Sequence, residues 1–105
     1  MATVILRTET VGGAAVAAIE VPDVPQSMTA RELIRLRARE EFAGRFPDAP
    51  PQDREQQADL AERAFRANGF FLLVGDRQVE ELDEVVDLRT RPEVLFLRLL
   101  PLAGG

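Results

Sequence analysis

The segment that decides how we interpret the chain is Glu93-Val94-Leu95-Phe96-Leu97-Arg98-Leu99-Leu100, followed by Pro101-Leu102-Ala103-Gly104-Gly105. Its first eight residues are mostly bulky and apolar, which predicts a buried β-strand. Proline lacks a backbone N–H, so we expect the sheet ladder to stop at Pro101. A final diglycine is costly to order, and by itself it is also compatible with a frayed terminus or a cloning remnant. The rest of the chain must therefore decide its meaning.

The composition indicates one globular domain and excludes several classes of protein. The 105 residues are 46% hydrophobic and 30% charged, which is typical of such a domain. No apolar run approaches the roughly 20 residues that cross a bilayer, and we expect no membrane association. The net charge of −5 argues against a nucleic-acid partner, which requires a basic face. Because no signal peptide opens the chain, we expect a cytoplasmic protein.

Most side chains that carry out catalysis are missing. The sequence contains no His, Cys, Lys, Tyr or Trp, and all 13 basic residues are arginine. These absences remove the commonest general base, the best nucleophile, the Schiff-base amine and most zinc ligands. Paired carboxylates, which can hydrolyse glycosidic bonds, remain. However, the only aromatic residues are six Phe, so no sugar-binding aromatic residues accompany the acids. We therefore expect that the protein is not an enzyme and binds no cofactor or metal itself.

The first half of the chain predicts a β-hairpin followed by a helix. Residues 3–11 read as a strand and residues 14–21 as the returning strand, joined by a Gly12-Gly13 turn and ended by prolines. Thr29 and Glu32 then form the spacing of a capping box. We expect the helix to run to about residue 43, where Gly44 ends it. Arg37 falls within the apolar face by angle, so its stem is expected along the core edge.

The second half predicts another helix and three strands. Asp53 and Gln56 suggest a second capping box, for a surface helix that ends at Asn68-Gly69. Residues 70–74 form a continuous apolar strand, and residues 79–88 are interpreted as a short strand followed by a helical turn with a solvated acidic face. The order of elements predicts an α+β fold, in which one mixed sheet packs on one main helix and its first and last strands pair in parallel.

The predicted domain comprises residues 1–100, with an insertion at about 45–69 that carries the extra helix, and residues 101–105 form a flexible tail. We expect five apolar side chains to be largely buried: Ile5, Leu33, Ile34, Leu73 and Phe96.

From residue 71 onward the chain resembles ubiquitin. Residues 72–80 are similar to its strand, glycine turn and short strand, and Val85-Val86-Asp87-Leu88 to the loop before its last strand. Residues 95–100, followed by Gly104-Gly105, resemble that last strand and its tail. The hairpin and the helix that Ser27-Met28-Thr29 begins match in pattern, whereas the insertion has no counterpart. The resemblance covers about three-quarters of the chain and implies a β-grasp fold.

The resemblance implies a protein modifier that other proteins activate. A partner activating enzyme would use ATP and magnesium to adenylate the C-terminal carboxylate of Gly105 and would then hold it as a thioester. A conjugating enzyme, a deconjugating protease and target proteins would be further partners. Since Gly105 is the last residue, no trimming is expected. The arginine-rich composition and the extra helix suggest a bacterial system, of a kind that sometimes serves antiviral defence.

The resemblance also assigns site residues. Tail recognition would involve Pro101, Leu102, Ala103 and Gly104, although ubiquitin has arginines where this chain has Pro101 and Ala103, which suggests dedicated partner enzymes. An apolar partner patch would comprise Leu72, Leu99 and, in the first hairpin, Val11 or Glu9. Two alternatives stay open: a sulfur carrier resembling ThiS or MoaD, which would form a C-terminal thiocarboxylate, and a β-grasp interaction module that is not conjugated.

Overall fold

The computed structural model describes residues 1–12 and 15–99, with the side chains of residues 15 and 16 left out. The chain folds as α+β, with a mixed five-stranded sheet, a two-stranded sheet and two helices. In chain order the elements are β1 (Ala2–Thr10), β2 (Ala15–Val24), β3 (Ser27–Thr29), α1 (Ala30–Arg45), α2 (Pro51–Arg66), β4 (Phe70–Val74), β5 (Arg77–Val79), β6 (Val85–Asp87) and β7 (Glu93–Arg98).

The main sheet has the strand order β2-β1-β7-β4-β5. The predicted parallel pairing of the first and last strands is confirmed, because β1 and β7 run parallel from the pair Ile5–Glu93 to the pair Thr10–Arg98. All other neighbouring strands of this sheet are antiparallel. The last strand ends at Arg98, earlier than predicted, and β7 lies in the middle of the sheet.

The small sheet was not predicted. The segment that was expected to be a helical turn contains only a single hydrogen-bonded turn, in which the Glu84 N–H donates to the Glu81 carbonyl over 3.2 Å. It then forms β6, which pairs with β3 directly before α1. Both strands have only three residues, and such short strands have no periodicity to detect.

The core lies between the main sheet and α1. Strand residues point alternately to the two faces of a sheet. In β1, Val4 and Leu6 are buried, so Ile5 is only half-buried on the other face. Burial is confirmed for three of the five predicted core residues, the exceptions being Ile5 and Leu73.

The capping box at the start of α1 is confirmed. The Thr29 N–H donates to Glu32 Oε1 over 2.8 Å, and the Glu32 N–H donates to Thr29 Oγ1 over 3.2 Å. The helix continues through Gly44 to Arg45, so a glycine in the last turn did not end it. The Phe46 N–H closes the helix by donating to the Phe42 carbonyl over 2.8 Å.

The predicted capping box of α2 is wrong. The helix begins at Pro51 with Pro50 as N-cap, and no side chain caps it. Proline fits the first helical turn because the N–H it lacks would have no helical partner there. Asp53 lies inside that first turn, where its negative charge interacts favourably with the positive end of the helix dipole.

The end of α2 was predicted correctly at Asn68-Gly69, and the structure shows the mechanism. Asn68 has φ of 60°. Its N–H donates to the Phe65 carbonyl, and the Gly69 N–H donates to the Ala64 carbonyl over 2.8 Å. This is the hydrogen-bond pattern of a Schellman motif. None of the helices in the described ranges is long and apolar enough to cross a membrane.

The edge strand β2 continues past the residue at which we expected it to end. The register between β1 and β2 shifts between the pairs Val4–Val21 and Ala2–Val24, so Pro22 lies at an irregularity of an edge strand. A proline is tolerated there, because no ladder hydrogen bond needs its missing N–H.

Candidate functional site

The predicted conjugation residue Gly105 and the tail residues Pro101, Leu102, Ala103 and Gly104 lie outside the described residues. The structure does show the part of the fold from which the chain continues toward these residues. The described chain leaves the main sheet after Arg98, at one end of its central strand. Among the described residues, this end of the sheet is therefore the part of the fold closest in sequence to the predicted reactive group.

Two members of the predicted partner patch meet at this end of the sheet. The side chains of Val11 and Leu99 are both exposed. The Val11 N–H donates to the Arg98 carbonyl over 3.0 Å, which ties the hairpin turn to the last residue of β7. Their role in binding stays a prediction, but the two side chains lie on neighbouring segments of backbone.

The third predicted member, Leu72, does not belong to an exposed patch. Its side chain is 0% exposed and lies in the core with Phe96, its cross-strand partner. The prediction failed by one residue, because a shift of one position along a strand exchanges the two faces of a sheet. Leu73, the next residue, points to the other face and is partly exposed.

The sheet face opposite α1, which we name the open face, is apolar along β4 and β7. Leu73 pairs with Leu95, and Phe71 pairs with Leu97; all four are only partly buried. A depression of about 250 Å³ adjoins Leu73 and Leu95, with Arg91 on its border. Sequence reasoning missed this surface, although counting in steps of two from Phe96, which was predicted to be buried, would have placed Leu95 and Leu97 on the opposite face.

The β1 half of the open face is charged. Arg7 lies beside Leu95 across the strand pair. Its guanidinium is 3.6 Å from the Glu9 carboxylate and 3.7 Å from that of Glu93. Exposed ion pairs of this length contribute little stability. Together, the apolar residues of β4 and β7 and the charged residues at their border give the open face the composition of many protein-binding surfaces.

A buried arginine lies under the same sheet. The predicted position of Arg37 at the core edge is confirmed, since its side chain is 12% exposed and its guanidinium carbon lies 5.1 Å from the ring centre of Phe96. Its Nε donates to Thr8 Oγ1 over 2.9 Å, and its Nη2 lies 2.9 Å from the Glu41 carboxylate. Burial lowers the pKa of Arg37, but these partners hold the cation in place.

Several ion pairs connect the inserted helix to α1. Arg35 of α1 lies 2.8 Å from the Asp59 carboxylate and 3.1 Å from that of Glu55. Arg39 contacts Glu55 through two hydrogen bonds of 2.7 and 2.9 Å. These contacts, led by the bonds from Arg39, lower the pKa of Glu55 to about 2. Ala58 is the only α2 residue that is fully buried, so the apolar contact between the helices is narrow.

No group of three or more potential metal ligands occurs within residues 1–12 and 15–99. No protein-family model matches the chain, and no curated protein is significantly similar to it. Arguments about function therefore rest on the geometry above and on the resemblance in the sequence.

Proposed function

We propose that the chain is a ubiquitin-like β-grasp modifier. In this proposal a partner enzyme adenylates the Gly105 carboxylate with ATP and magnesium and holds it as a thioester. Conjugation to target proteins follows. The chain itself supplies the carboxylate and the surfaces that partners recognise, and the catalysis belongs to the partners.

The observation that carries the proposal is the sheet order β2-β1-β7-β4-β5 with α1 packed across one face. A β-grasp fold has this arrangement, in which the last strand lies at the centre, parallel to the first. Such a design leaves the carboxyl end of the central strand as the exit of the chain. Here the exit is bordered by exposed apolar side chains, Val11 and Leu99, which a partner enzyme can contact while it handles the tail.

The open face supplies the second element that the proposal requires. A modifier acts by being recognised after conjugation, so it needs a surface that conjugation leaves free. The apolar stripe of Phe71, Leu73, Leu95 and Leu97 lies on the face that no helix covers. We assign receptor binding to this stripe, with Leu73 in the place that the sequence had given to Leu72.

The test is to express the tagged chain, ending at Gly105, in its native host and to analyse it by intact-mass and linkage mass spectrometry. Isopeptide or ester adducts between Gly105 and other proteins are expected. The control variant lacks Gly104 and Gly105, keeps every described residue, and should form none.

Two other results would contradict the proposal. A mass gain that corresponds to exchange of one oxygen for sulfur, without protein adducts, would identify a sulfur carrier. An unmodified chain in both forms, under conditions in which the cells produce its partners, would indicate an interaction module that is not conjugated.

A further inference from the structure

Two of the largest exposed apolar side chains border a single groove between the helices. Phe46 is 54% exposed and Leu60 is 51% exposed. The groove has a volume of about 350 Å³, and Phe42 and Ala61 also line it. We name it the α1–α2 groove. It exists because the insertion places α2 beside α1, and it lies on the helical side of the sheet, away from the open face. Arg45 also borders a second depression that extends to Arg98.

Two of the apolar side chains of the groove pack against each other before any partner binds. The rings of Phe42 and Phe46 lie 5.1 Å apart at an angle of 42°, a favourable geometry for an aromatic pair. Ala58 anchors α2 against α1, and Leu60, two residues later, is directed away from that contact. Exposed side chains that are already ordered lose little entropy when a partner covers them.

The charges available around the groove are positive. Arg45 is 70% exposed, and its closest carboxylate, that of Glu41, is 3.8 Å away. Glu41 is held more tightly by Arg37, at 2.9 Å. Arg63 lies beside Leu60 in an adjoining depression and forms no ion pair with any described residue. Arg63 is therefore free to bind another anion, and Arg45 can do so by giving up only a long contact with Glu41.

The acids of α2 near the groove are already engaged. Asp59, four residues before Arg63, lies 2.8 Å from Arg35. Glu62 contacts Arg66 at 3.2 Å as well as Arg35 at 3.4 Å. The groove thus offers apolar side chains and exposed arginines that no carboxylate holds closely, although the whole chain has a net charge of −5. A local excess of free positive charge favours an acidic ligand.

We propose that the α1–α2 groove binds an acidic segment of a partner protein. The segment inserts a large apolar side chain between Phe46 and Leu60 and places carboxylates against Arg45 and Arg63. A second copy of this chain fits less well, because a two-fold contact at the groove would bring these exposed arginines together. The proposal does not depend on conjugation, since the groove is remote from Gly105 in sequence and is built by the insertion.

The probe is a phage-displayed library of random dodecapeptides, selected against the immobilised full chain. We expect the enriched peptides to carry Asp or Glu on both sides of Leu, Phe or Trp. Their binding should be saturable and should weaken as NaCl rises, because the charged contacts are exposed. Amide shifts of the ¹⁵N-labelled chain should change mainly in residues 38–46 and 57–63.

Two variants test the groove directly. Leu60→Ser removes the apolar contact, and the pair Arg45→Glu with Arg63→Glu reverses the charge; each should weaken binding by about tenfold or more. Val85→Ser is the matched control, because Val85 is another exposed apolar residue but lies in β6. All four side chains are exposed, so circular dichroism should show the native helix content in every variant. The charge-reversed pair should unfold at a somewhat lower temperature, because Arg45 and Arg63 lie in the last turns of α1 and α2.

Several outcomes would overturn the proposal. These are a library without enriched peptides, enriched peptides that are neutral or basic, and binding that Leu60→Ser leaves unchanged. Sedimentation of the chain alone provides a further check. A dimer that forms in the wild type and is lost in Leu60→Ser would show that the groove is occupied by a second copy instead.

Discussion

Substitution of two neighbouring leucines in β4 tests the register on which the candidate surface depends. Leu72 is 0% exposed in the core, whereas Leu73 lies on the open face and is partly exposed. The two residues share chemistry, strand and local backbone. Leu72→Ala and Leu73→Ala are therefore a matched pair that differs only in the face to which the side chain points.

The expected losses differ several-fold. Leu72→Ala leaves a cavity between the sheet and α1, and such truncations cost about 2–5 kcal/mol. Leu73→Ala removes apolar atoms that keep part of their contact with water, so we expect a cost of about 1 kcal/mol. For a domain of this size each kcal/mol lowers Tm by about 4–8 °C. Leu72→Ala should thus lower Tm by at least about 10 °C and Leu73→Ala by about half as much or less.

Urea unfolding followed by far-UV circular dichroism measures both free energies, since the chain has no Trp or Tyr for fluorescence. Equal denaturant slopes for the two variants would show that the comparison concerns stability alone. Equal losses, or a larger loss for Leu73→Ala, would refute the register and with it the open face.

Three further predictions follow from single contacts. Replacing Arg37 by Met and Thr8 by Val, singly and together, should reveal a coupling free energy of about 1–2 kcal/mol in urea unfolding, and additive losses would contradict the 2.9 Å hydrogen bond between these side chains. The pKa of Glu55 is lowered from 4.5 to about 2, mainly by Arg39. The ionised carboxylate therefore stabilises the folded state at pH values above the pKa of the unfolded chain, and this contribution is lost as the pH falls from about 4.5 toward 2. Glu55→Gln should flatten that part of the stability–pH profile, more at low salt than at high salt, and an unchanged profile would contradict the contact. The chain has no lysine, so in the proposed modifier any linkage of one copy to a side chain of another should be an ester that hydroxylamine cleaves. Hydroxylamine-resistant side-chain linkages in linkage mass spectrometry would contradict this.

The sequence predicted the elements whose signals are local. The Thr29 capping box and the end of α2 at Asn68-Gly69 each depend on a few adjacent residues, and both were found where expected. The face to which Leu72 points depends on where the turn after β4 begins, which the residues of a continuous apolar strand do not indicate. The pairing of β3 with β6 is non-local and covers three residues in each strand, so no sequence period could predict it.

The features of the candidate site also differ in how far the sequence could predict them. Val11 and Leu99 are distant in the sequence, and the parallel pairing of β1 with β7 brings their backbones together, a pairing that two strongly apolar strands made predictable. The α1–α2 groove was not predictable, because the position of α2 depends on non-local contacts, both apolar and charged, that no local pattern reveals. Arg35 and Arg39 are two of many charged residues, and nothing in the sequence shows which carboxylates they contact.

The position of the insertion has a consequence for how partners can bind. Phe65 of α2 contacts Phe70 at a ring distance of 5.8 Å, and Phe70 lies on the buried face of the sheet. Both helices therefore cover the same face of the sheet, and the open face stays free of the insertion. A protein bound to Leu73 and Leu95 would approach from the side opposite to a segment bound at Phe46 and Leu60. Under the two proposals, both surfaces could be occupied together, so the insertion would add a second binding surface without removing the first.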